Sequence, residues 1–184
     1  MSALWRVLVV VAAALGSGSS VGAQAADPLT GGARVNYGLV KDLLVQTAMR
    51  MTEEGYAFAP TPDSPSFGQL IGHVADANYR FCSAVAGDRT PLVTEIEATM
   101  TRRFELRRAL DLSFAFCDKQ YTAMTDAGGA RLVSFDGGEP DQPLPLRMPR
   151  LSVLAYQTQH AFEHLGMLVT YLRLRGIAAP TLRR

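Results

Sequence analysis

The three histidines of this 184-residue chain form a close pair and a distant single residue. His160 and His164 are four positions apart in an apolar stretch typical of a helix, so their side chains share one helix face. His73 lies in a second apolar, helix-like stretch. Neutral imidazole is a natural ligand for zinc, nickel, copper and iron. Because three protein ligands leave a coordination position for water, the pattern predicts a divalent-metal site of the catalytic kind.

Residues 160–164 also match H-x-x-E-H, the motif of the inverted zinc proteases. That assignment makes Glu163 a general base and requires an acidic metal ligand well downstream. The residues after His164 include no acidic side chain, which argues against a protease of this kind. We therefore interpret Glu163 as a residue that faces solvent or that contacts a metal ligand without binding the metal itself.

Ligating imidazoles usually donate their second N–H to a carboxylate, an amide or a carbonyl. Asp76 lies three residues after His73, and Gln157 lies three residues before His160, so either side chain could support a ligand. Further candidates for this role are Asn78, Tyr79 and Tyr156. The large apolar residues interpreted as core, rather than as part of a substrate pocket, are Phe67, Phe81, Phe104, Phe114 and Met167.

Four apolar stretches with helical spacing predict the elements that position these residues. The predicted helices span about residues 32–58, 66–86, 94–124 and 150–175, with Ser64 or Ser66 as the cap of the second. Before the last helix, residues 131–135 and 144–148 read as two short strands, with a turn at 136–140. The pattern therefore predicts an all-α four-helix bundle with a short irregular or β-hairpin insertion before the last helix.

The first 26 residues have the features of a signal peptide. Arg6 is followed by an uncharged apolar run at residues 7–15 and by small residues at 21–25 that offer a cleavage site. This run is too short for a membrane span, which needs about 20 residues, although an uncleaved anchor is the alternative. We expect a periplasmic or secreted protein with no membrane association after signal removal, and a single domain over residues 27–184.

The charge balance argues against one class of partner. The chain contains 18 Lys and Arg and 17 Asp and Glu, mixed along the sequence, for a net charge of +1. A general nucleic-acid-binding protein normally presents a basic face. We therefore expect no nucleic-acid partner.

Cys82 and Cys117 are the two cysteines of the chain. In an exported protein they can form a disulfide, which closes a loop of about 35 residues and contributes about 3 to 4 kcal/mol. The alternative is a pair of buried thiols that pack as small hydrophobic groups. Their positions lack the spacing typical of metal-ligating cysteines, and the sequence leaves the disulfide and the free thiols both open.

The segments that carry the histidines resemble those of a known family. Residues 66–77, SFGQLIGHVADA, are similar to the second helix of the DinB-like proteins, a bacterial group of candidate metalloenzymes. Residues 160–173, HAFEHLGMLVTYLR, are similar to the last helix of that family, and residues 174–180 are similar to its tail. The resemblance spans the predicted mature chain, with the motifs in the same order.

This resemblance implies an up-down-down-up four-helix bundle with one divalent metal, often zinc or nickel, on His73, His160 and His164. It also implies homodimers, and some relatives are hydrolases or thiol-dependent transferases. Because small thiols are not kept reduced outside the cytosol, export favours the hydrolase. The predicted function is an exported, metal-dependent hydrolase of an unspecified small molecule. The alternative is a non-catalytic dimeric bundle, a binding or structural module.

Overall fold

A computed structural model describes residues 26–87, 95–136 and 145–181 of the chain. The long helices are α1 (Pro28–Arg50), α2 (Phe67–Ala86), α4 (Arg103–Ala123) and α6 (Arg150–Leu174). The shorter elements are a 3₁₀ helix (Glu54–Ala57), α3 (Ile96–Thr99), α5 (Asp126–Gly129), β1 (Leu132–Asp136) and β2 (Pro145–Pro149). None of the described helices has both the length and the hydropathy that a membrane span requires. Nearly all of the predicted signal peptide, and most of the turn at 136–140, lie outside the described residues.

Side-chain contacts between the long helices fix their relative directions. Between α2 and α4 the contacting pairs advance together along both helices, so these helices are parallel. Between α2 and α6, and between α1 and α4, the pairs run in opposite order, so these helices are antiparallel. The C-terminal ends of α1 and α6 meet, which completes the expected up-down-down-up bundle. The pairs are Asn78–Ser113 and Cys82–Cys117 (α2 and α4), Asn78–Gln157 and Val85–Arg150 (α2 and α6), Tyr37–Phe114 and Arg34–Tyr121 (α1 and α4), and Arg50–Ala178 (the ends of α1 and α6).

The start of α2 is set by a cap that the sequence indicated, and its end by a glycine. Ser66 accepts a hydrogen bond from the Gln69 N–H, and the Gln69 side chain accepts one from the Ser66 N–H, which forms a capping box. At the other end Gly87 has a φ of 80°, a left-handed conformation that glycine adopts without a side-chain clash. These ends place His73 in the second turn of α2.

The first helix ends earlier than predicted. It stops at Arg50 rather than near residue 58, and the separate 3₁₀ helix follows it. This turn lets Tyr56 fold back into the core, where its hydroxyl donates to the Ala48 carbonyl at 2.8 Å. Leu44 is buried as the helical spacing predicted, but Val35 is 62% exposed, so the inward face of α1 is narrower than expected.

The third predicted helix is interrupted. Residues 96–99 form α3, the chain then leaves the helical conformation, and α4 begins at Arg103, whose N–H donates to the Glu53 carboxylate. The interruption places Phe104 on the outer face of the first turn of α4, where it is 72% exposed, while Leu106 faces the core. The predicted core position of Phe104 is therefore wrong.

The core contains residues from all four long helices and one disulfide. Cys82 and Cys117 form this disulfide between α2 and α4, with both side chains buried and the Cα atoms 5.3 Å apart. The two cysteines are thus paired rather than free. Phe67, Phe81 and Phe114 are fully buried, as predicted.

The predicted insertion before the last helix is a two-stranded hairpin. β1 and β2 pair in antiparallel register, with Leu132 opposite Pro149 and Ser134 opposite Arg147. The hairpin leads directly into α6, and the Arg150 side chain donates to the Val85 carbonyl near the end of α2 at 2.8 Å. This contact joins the start of α6 to the end of its antiparallel neighbour.

Candidate metal centre

His73, His160 and His164 meet between α2 and α6. The Nε2 atoms of His73 and His160 are 3.1 Å apart, and those of His164 and His160 are also 3.1 Å apart. The candidate ligand atoms all lie within 4.8 Å of one another. The packing of α2 against α6 brings the distant histidine to the pair, and the spacing of the pair puts both rings on one side of α6. The structure therefore brings together the three residues that the sequence singled out; we call them the histidine cluster.

The histidine cluster has the spacing and the donor set of a three-nitrogen metal site. A tetrahedral metal with bonds of about 2.0–2.1 Å holds its nitrogen ligands about 3.3 Å apart. The distance of 3.1 Å found here is close to that value. Imidazole nitrogens suit zinc and nickel, whereas calcium and magnesium prefer oxygen ligands. The residues present therefore fit a divalent transition-metal ion of the kind that imidazole binds, such as zinc, nickel, copper or iron.

The environment of His160 favours the neutral imidazole that metal binding requires. Burial, followed by the charges of the other two histidines and of Arg80, lowers the pKa of His160 from 6.5 to about 3. The buried ring of Phe81 contributes to this environment, since it packs edge-on against His160 with the ring centroids 5.6 Å apart. A histidine ligand must be unprotonated. His160 meets that condition at neutral pH.

Glu97 in α3 contacts His73 at the ring nitrogen that does not face the cluster. Its Oε2 lies 2.9 Å from His73 Nδ1, and the side chains of His73 and Glu97 are 18% and 39% exposed. A carboxylate at this position accepts the Nδ1–H and leaves the lone pair on Nε2. The sequence did not single out this role for Glu97. The signal that it offered was an acidic side chain in the first turn of a predicted helix.

Asp76, one of the predicted ligand supports, holds α3 in place. Its carboxylate accepts hydrogen bonds from the N–H of Ile96 at 3.2 Å and from the N–H of Glu97 at 3.0 Å. These backbone groups belong to the start of a helix and have no partner within it. Asp76 thus holds the backbone of Glu97, the residue that contacts His73.

Gln157, the other predicted support, belongs to a separate set of buried polar side chains. Its amide nitrogen donates to Asn78 Oδ1 at 2.7 Å, and the Asn78 amide donates to Ser113 Oγ at 3.0 Å. The Tyr121 hydroxyl lies 2.8 Å from Gln157 Oε1 and 2.8 Å from Thr158 Oγ1. We call this set the polar layer; its members are Asn78, Ser113, Tyr121, Gln157 and Thr158, all buried.

The remaining candidates from the sequence have other surroundings. Tyr79 packs against Phe116 with ring centroids 5.5 Å apart. Tyr156 packs edge-on against Phe81, which itself contacts His160. Glu163 is exposed on α6, in agreement with its interpretation as a solvent-facing residue.

The fold and the cluster together define a class: an up-down-down-up helical bundle with three imidazoles converging between two antiparallel helices. The family model that matches the sequence, described as the DinB superfamily, covers residues 38–168. This range includes all three histidines of the cluster. The chain belongs to the DinB superfamily.

Solved structures share the fold. A DinB-like protein from Bacillus cereus matches with a TM-score of 0.67 at 17% sequence identity, over 83% of this chain and 97% of that one. A DinB-like protein from Bacillus subtilis matches with a TM-score of 0.65 at 16% identity, over 83% of this chain and 99% of that one. A variant of the mycothiol-dependent maleylpyruvate isomerase matches with a TM-score of 0.59 at 16% identity, over 76% of this chain and 60% of that one. A comparison with the curated proteins gives no match.

Proposed function

We propose that this protein is an exported, metal-dependent hydrolase that binds one divalent cation, zinc or nickel, through His73, His160 and His164. The observation that carries the proposal is the convergence of three Nε2 atoms, with the two contacts to His160 at 3.1 Å. Among the described residues this cluster contains histidines alone, so it offers three protein ligands. Three ligands leave room for water and a substrate. A cation bound there supplies Lewis-acid activation of water.

The protein's own side chains prepare this position. Burial keeps His160 neutral, and Glu97 contacts Nδ1 of His73, the ring nitrogen that does not face the cluster. The buried ring of Phe81 covers one edge of His160 and excludes water from that side. The His73 side chain keeps 18% of its surface exposed, which supports access by a small molecule.

An enzyme among the structural relatives supports a catalytic role. The mycothiol-dependent isomerase shares the fold, although a shared fold alone does not carry a reaction from one protein to another. A reaction that uses a small thiol requires that thiol in its reduced form. Because export removes the protein from the reducing cytosol, hydrolysis with water is the better-supported chemistry.

A second candidate function is a non-catalytic bundle in which the cation joins α2 to α6. The observation in its favour is the contact of Glu97 with His73, since a carboxylate committed to this hydrogen bond is not available as a general base. Both functions require the cation. They differ in whether the bound cation accelerates hydrolysis.

Export and self-association complete the proposal. The Cys82–Cys117 disulfide supports export, because disulfides persist outside the reducing cytosol. Membership of the DinB superfamily supports a homodimer, because the resemblance to this family implies that state. Cell fractionation tests export, and light scattering of the purified chain tests the dimer.

Elemental analysis of the purified protein tests the metal. We expect about one equivalent of zinc or nickel per chain, and its loss in His73→Ala, His160→Ala and His164→Ala. The control is Glu163→Gln, since this exposed residue lies next to His164 on α6 and should leave the metal content unchanged. A wild-type chain that is purified without metal and resists loading would overturn the proposal.

Activity measurements then separate the two functions. Loaded and metal-free protein are compared against ester, amide and phosphoester substrates. Hydrolysis that depends on the cation supports the hydrolase. Stoichiometric binding without hydrolysis of any of these substrates supports the non-catalytic bundle.

A further inference from the structure

The short helix α3 places one carboxylate directly behind a histidine of the cluster. We infer that Glu97 is a positioning residue of the metal centre, which fixes the proton of His73 on Nδ1 and directs Nε2 toward the cation. The inference rests on the proposed metal site and adds a residue to it. Asp76 and Gly72 in turn set the position of Glu97.

The partners of the His73 ring assign its proton. Glu97 Oε2 lies 2.9 Å from Nδ1, whereas His160 Nε2 lies 3.1 Å from Nε2. An ionised carboxylate can only accept a hydrogen bond, so Nδ1 is the donor in the contact with Glu97. A neutral imidazole with its proton on Nδ1 carries its lone pair on Nε2, which is the form that binds a cation through Nε2.

Glu97 supports a ligand and is not itself one. Its Oε2 contacts the ring nitrogen that points away from the other two histidines. A cation held by His73 Nε2 would lie on the opposite side of the ring from this oxygen. It would be too far away for a direct bond, since a ligating carboxylate oxygen lies about 2.0–2.2 Å from zinc. The group of converging donor atoms among the described residues accordingly leaves out Glu97.

One turn of α2 carries His73 and also the two residues that set the position of Glu97. Asp76, three residues after His73, accepts from the two backbone N–H groups at the start of α3, including that of Glu97. At Gly72 the backbones of α2 and α3 are so close that an added Cβ would lie 2.7 Å from Glu97 Cα and 2.8 Å from Glu97 N. A side chain at position 72 would therefore displace the backbone that carries Glu97.

The expected effect of Glu97 on affinity is moderate. Loss of a side chain that supports a metal ligand typically weakens binding by about 10- to 100-fold. Because Glu97 is 39% exposed, water can replace its carboxylate as the partner of His73 Nδ1. We expect the lower end of the range, about a tenfold increase in Kd for zinc.

Zinc dissociation constants, measured by competition with a chromophoric chelator on the full mature chain, test the inference. Glu97→Ala should raise the Kd about tenfold, and Glu97→Gln should recover part of the loss because its amide oxygen can still accept from Nδ1. Glu95→Gln is the matched control, since this exposed residue lies just before α3. The melting temperature of the metal-free protein should be the same in all of these variants, which distinguishes positioning from a general loss of stability.

A glycine substitution moves Glu97 without changing its carboxylate. Gly72→Ala should weaken zinc binding because the new Cβ meets the backbone of Glu97. Gly38→Ala is the control, since an added Cβ at this position of α1 meets nothing within 4 Å. Its Kd should equal that of the wild type.

The outcomes distinguish this inference from the proposed function. If the histidine variants lose zinc while Glu97→Ala and Gly72→Ala bind it as tightly as the wild type, the inference is wrong and the metal site stands. Weaker binding in Glu97→Ala, with a matching drop in the melting temperature of the metal-free protein and no recovery in Glu97→Gln, also overturns it. If the wild-type chain binds no zinc, the inference and the proposed metal site fail together.

Discussion

The histidine cluster and the polar layer both use polar side chains of α2 and α6, and the layer adds Ser113 and Tyr121 of α4, but the two sets satisfy their polar groups in different ways. In the polar layer donors meet acceptors, as where the Gln157 amide donates to Asn78 and the Asn78 amide donates to Ser113. In the cluster nitrogen meets nitrogen. His160 Nε2 has one hydrogen or one lone pair with which to serve two neighbours at 3.1 Å. Buried polar groups whose donors and acceptors pair with one another stabilise a fold. Converging nitrogens of this kind instead suit a cation.

The two sets are also close in sequence. Gln157 lies three residues before His160, and Asn78 lies five residues after His73. Position along a helix therefore does not separate a residue that stabilises the bundle from a residue that supports the site. The distinction comes from the partner that each side chain meets on the neighbouring helix. It predicts that variants of the two sets have separable effects.

The largest expected effect is stabilisation by zinc. At a free zinc concentration about 1,000 times the Kd, the free energy of unfolding should rise by about 4 kcal/mol. His160→Ala should show no such gain, whereas Asn78→Ala should keep it, although from a less stable starting point. Denaturant titrations with and without zinc measure the gain. A gain that disappears in Asn78→Ala would break the distinction between the two sets.

The next effect concerns the disulfide, which follows the Asn78–Ser113 contact by about one turn on both helices. Replacing Cys82 and Cys117 together by alanine should lower the free energy of unfolding by about 3 to 4 kcal/mol, because a loop of about 35 residues is no longer closed in the unfolded chain. The zinc Kd of this variant should stay close to that of the wild type. A large increase in Kd would show that the covalent link also shapes the cluster.

A smaller loss is expected within the polar layer. Asn78→Ala leaves the buried groups of Gln157 and Ser113 without the partners they have now, at a cost of about 2 to 3 kcal/mol. The control is Thr170→Ala, which removes an exposed hydroxyl on α6 and should cost less than about 0.5 kcal/mol. Urea denaturation of the metal-free proteins measures both. Equal costs for the two variants would contradict the assigned role of the layer.

The last effect is a difference in acid sensitivity, which is measured as a slope of stability against pH. Burial lowers the pKa of His160 to about 3 in the folded chain, whereas the ordinary value of 6.5 applies in the unfolded chain. Between pH 3 and pH 6.5 the unfolded chain therefore binds a proton at this residue that the folded chain does not bind. The stability of the metal-free protein should therefore fall as the pH decreases from about 6.5 toward 3, by at most about 1.4 kcal/mol per pH unit from this residue. His160→Gln should remove this part of the slope, whereas Asn78→Ala should keep it. Denaturation at several pH values gives the slopes, and identical slopes in wild type and His160→Gln would argue against a buried neutral His160.

Most of the bundle and the cluster could be predicted because both depend on local spacing. The four long helices follow from apolar periodicity, and the start of α2 follows from a cap at Ser66. The four-residue spacing of His160 and His164 fixes their common face in any helix. The position of His73 beside this pair requires only that α2 and α6 pack side by side, as neighbouring helices of a four-helix bundle do.

The role of Glu97 could not be predicted, because it depends on contacts between distant segments. The sequence suggested one continuous helix from residue 94, and in such a helix no local pattern brings Glu97 to His73. The actual break between α3 and α4 leaves the N–H groups at the start of α3 to Asp76. The same break explains the misplaced Phe104, since periodicity counts residues along one helix and is reset when a new helix begins.

The disulfide has a consequence for how the site would exchange its cation. It ties α2 covalently to α4, and α2 also carries His73, so this histidine belongs to the cross-linked half of the bundle. The other two rings belong to α6, which has no such bond to α2. Widening the gap between His73 and the pair therefore requires α6 to tilt against two helices that move as one. The rate at which a cation arrives or departs should accordingly follow the mobility of α6.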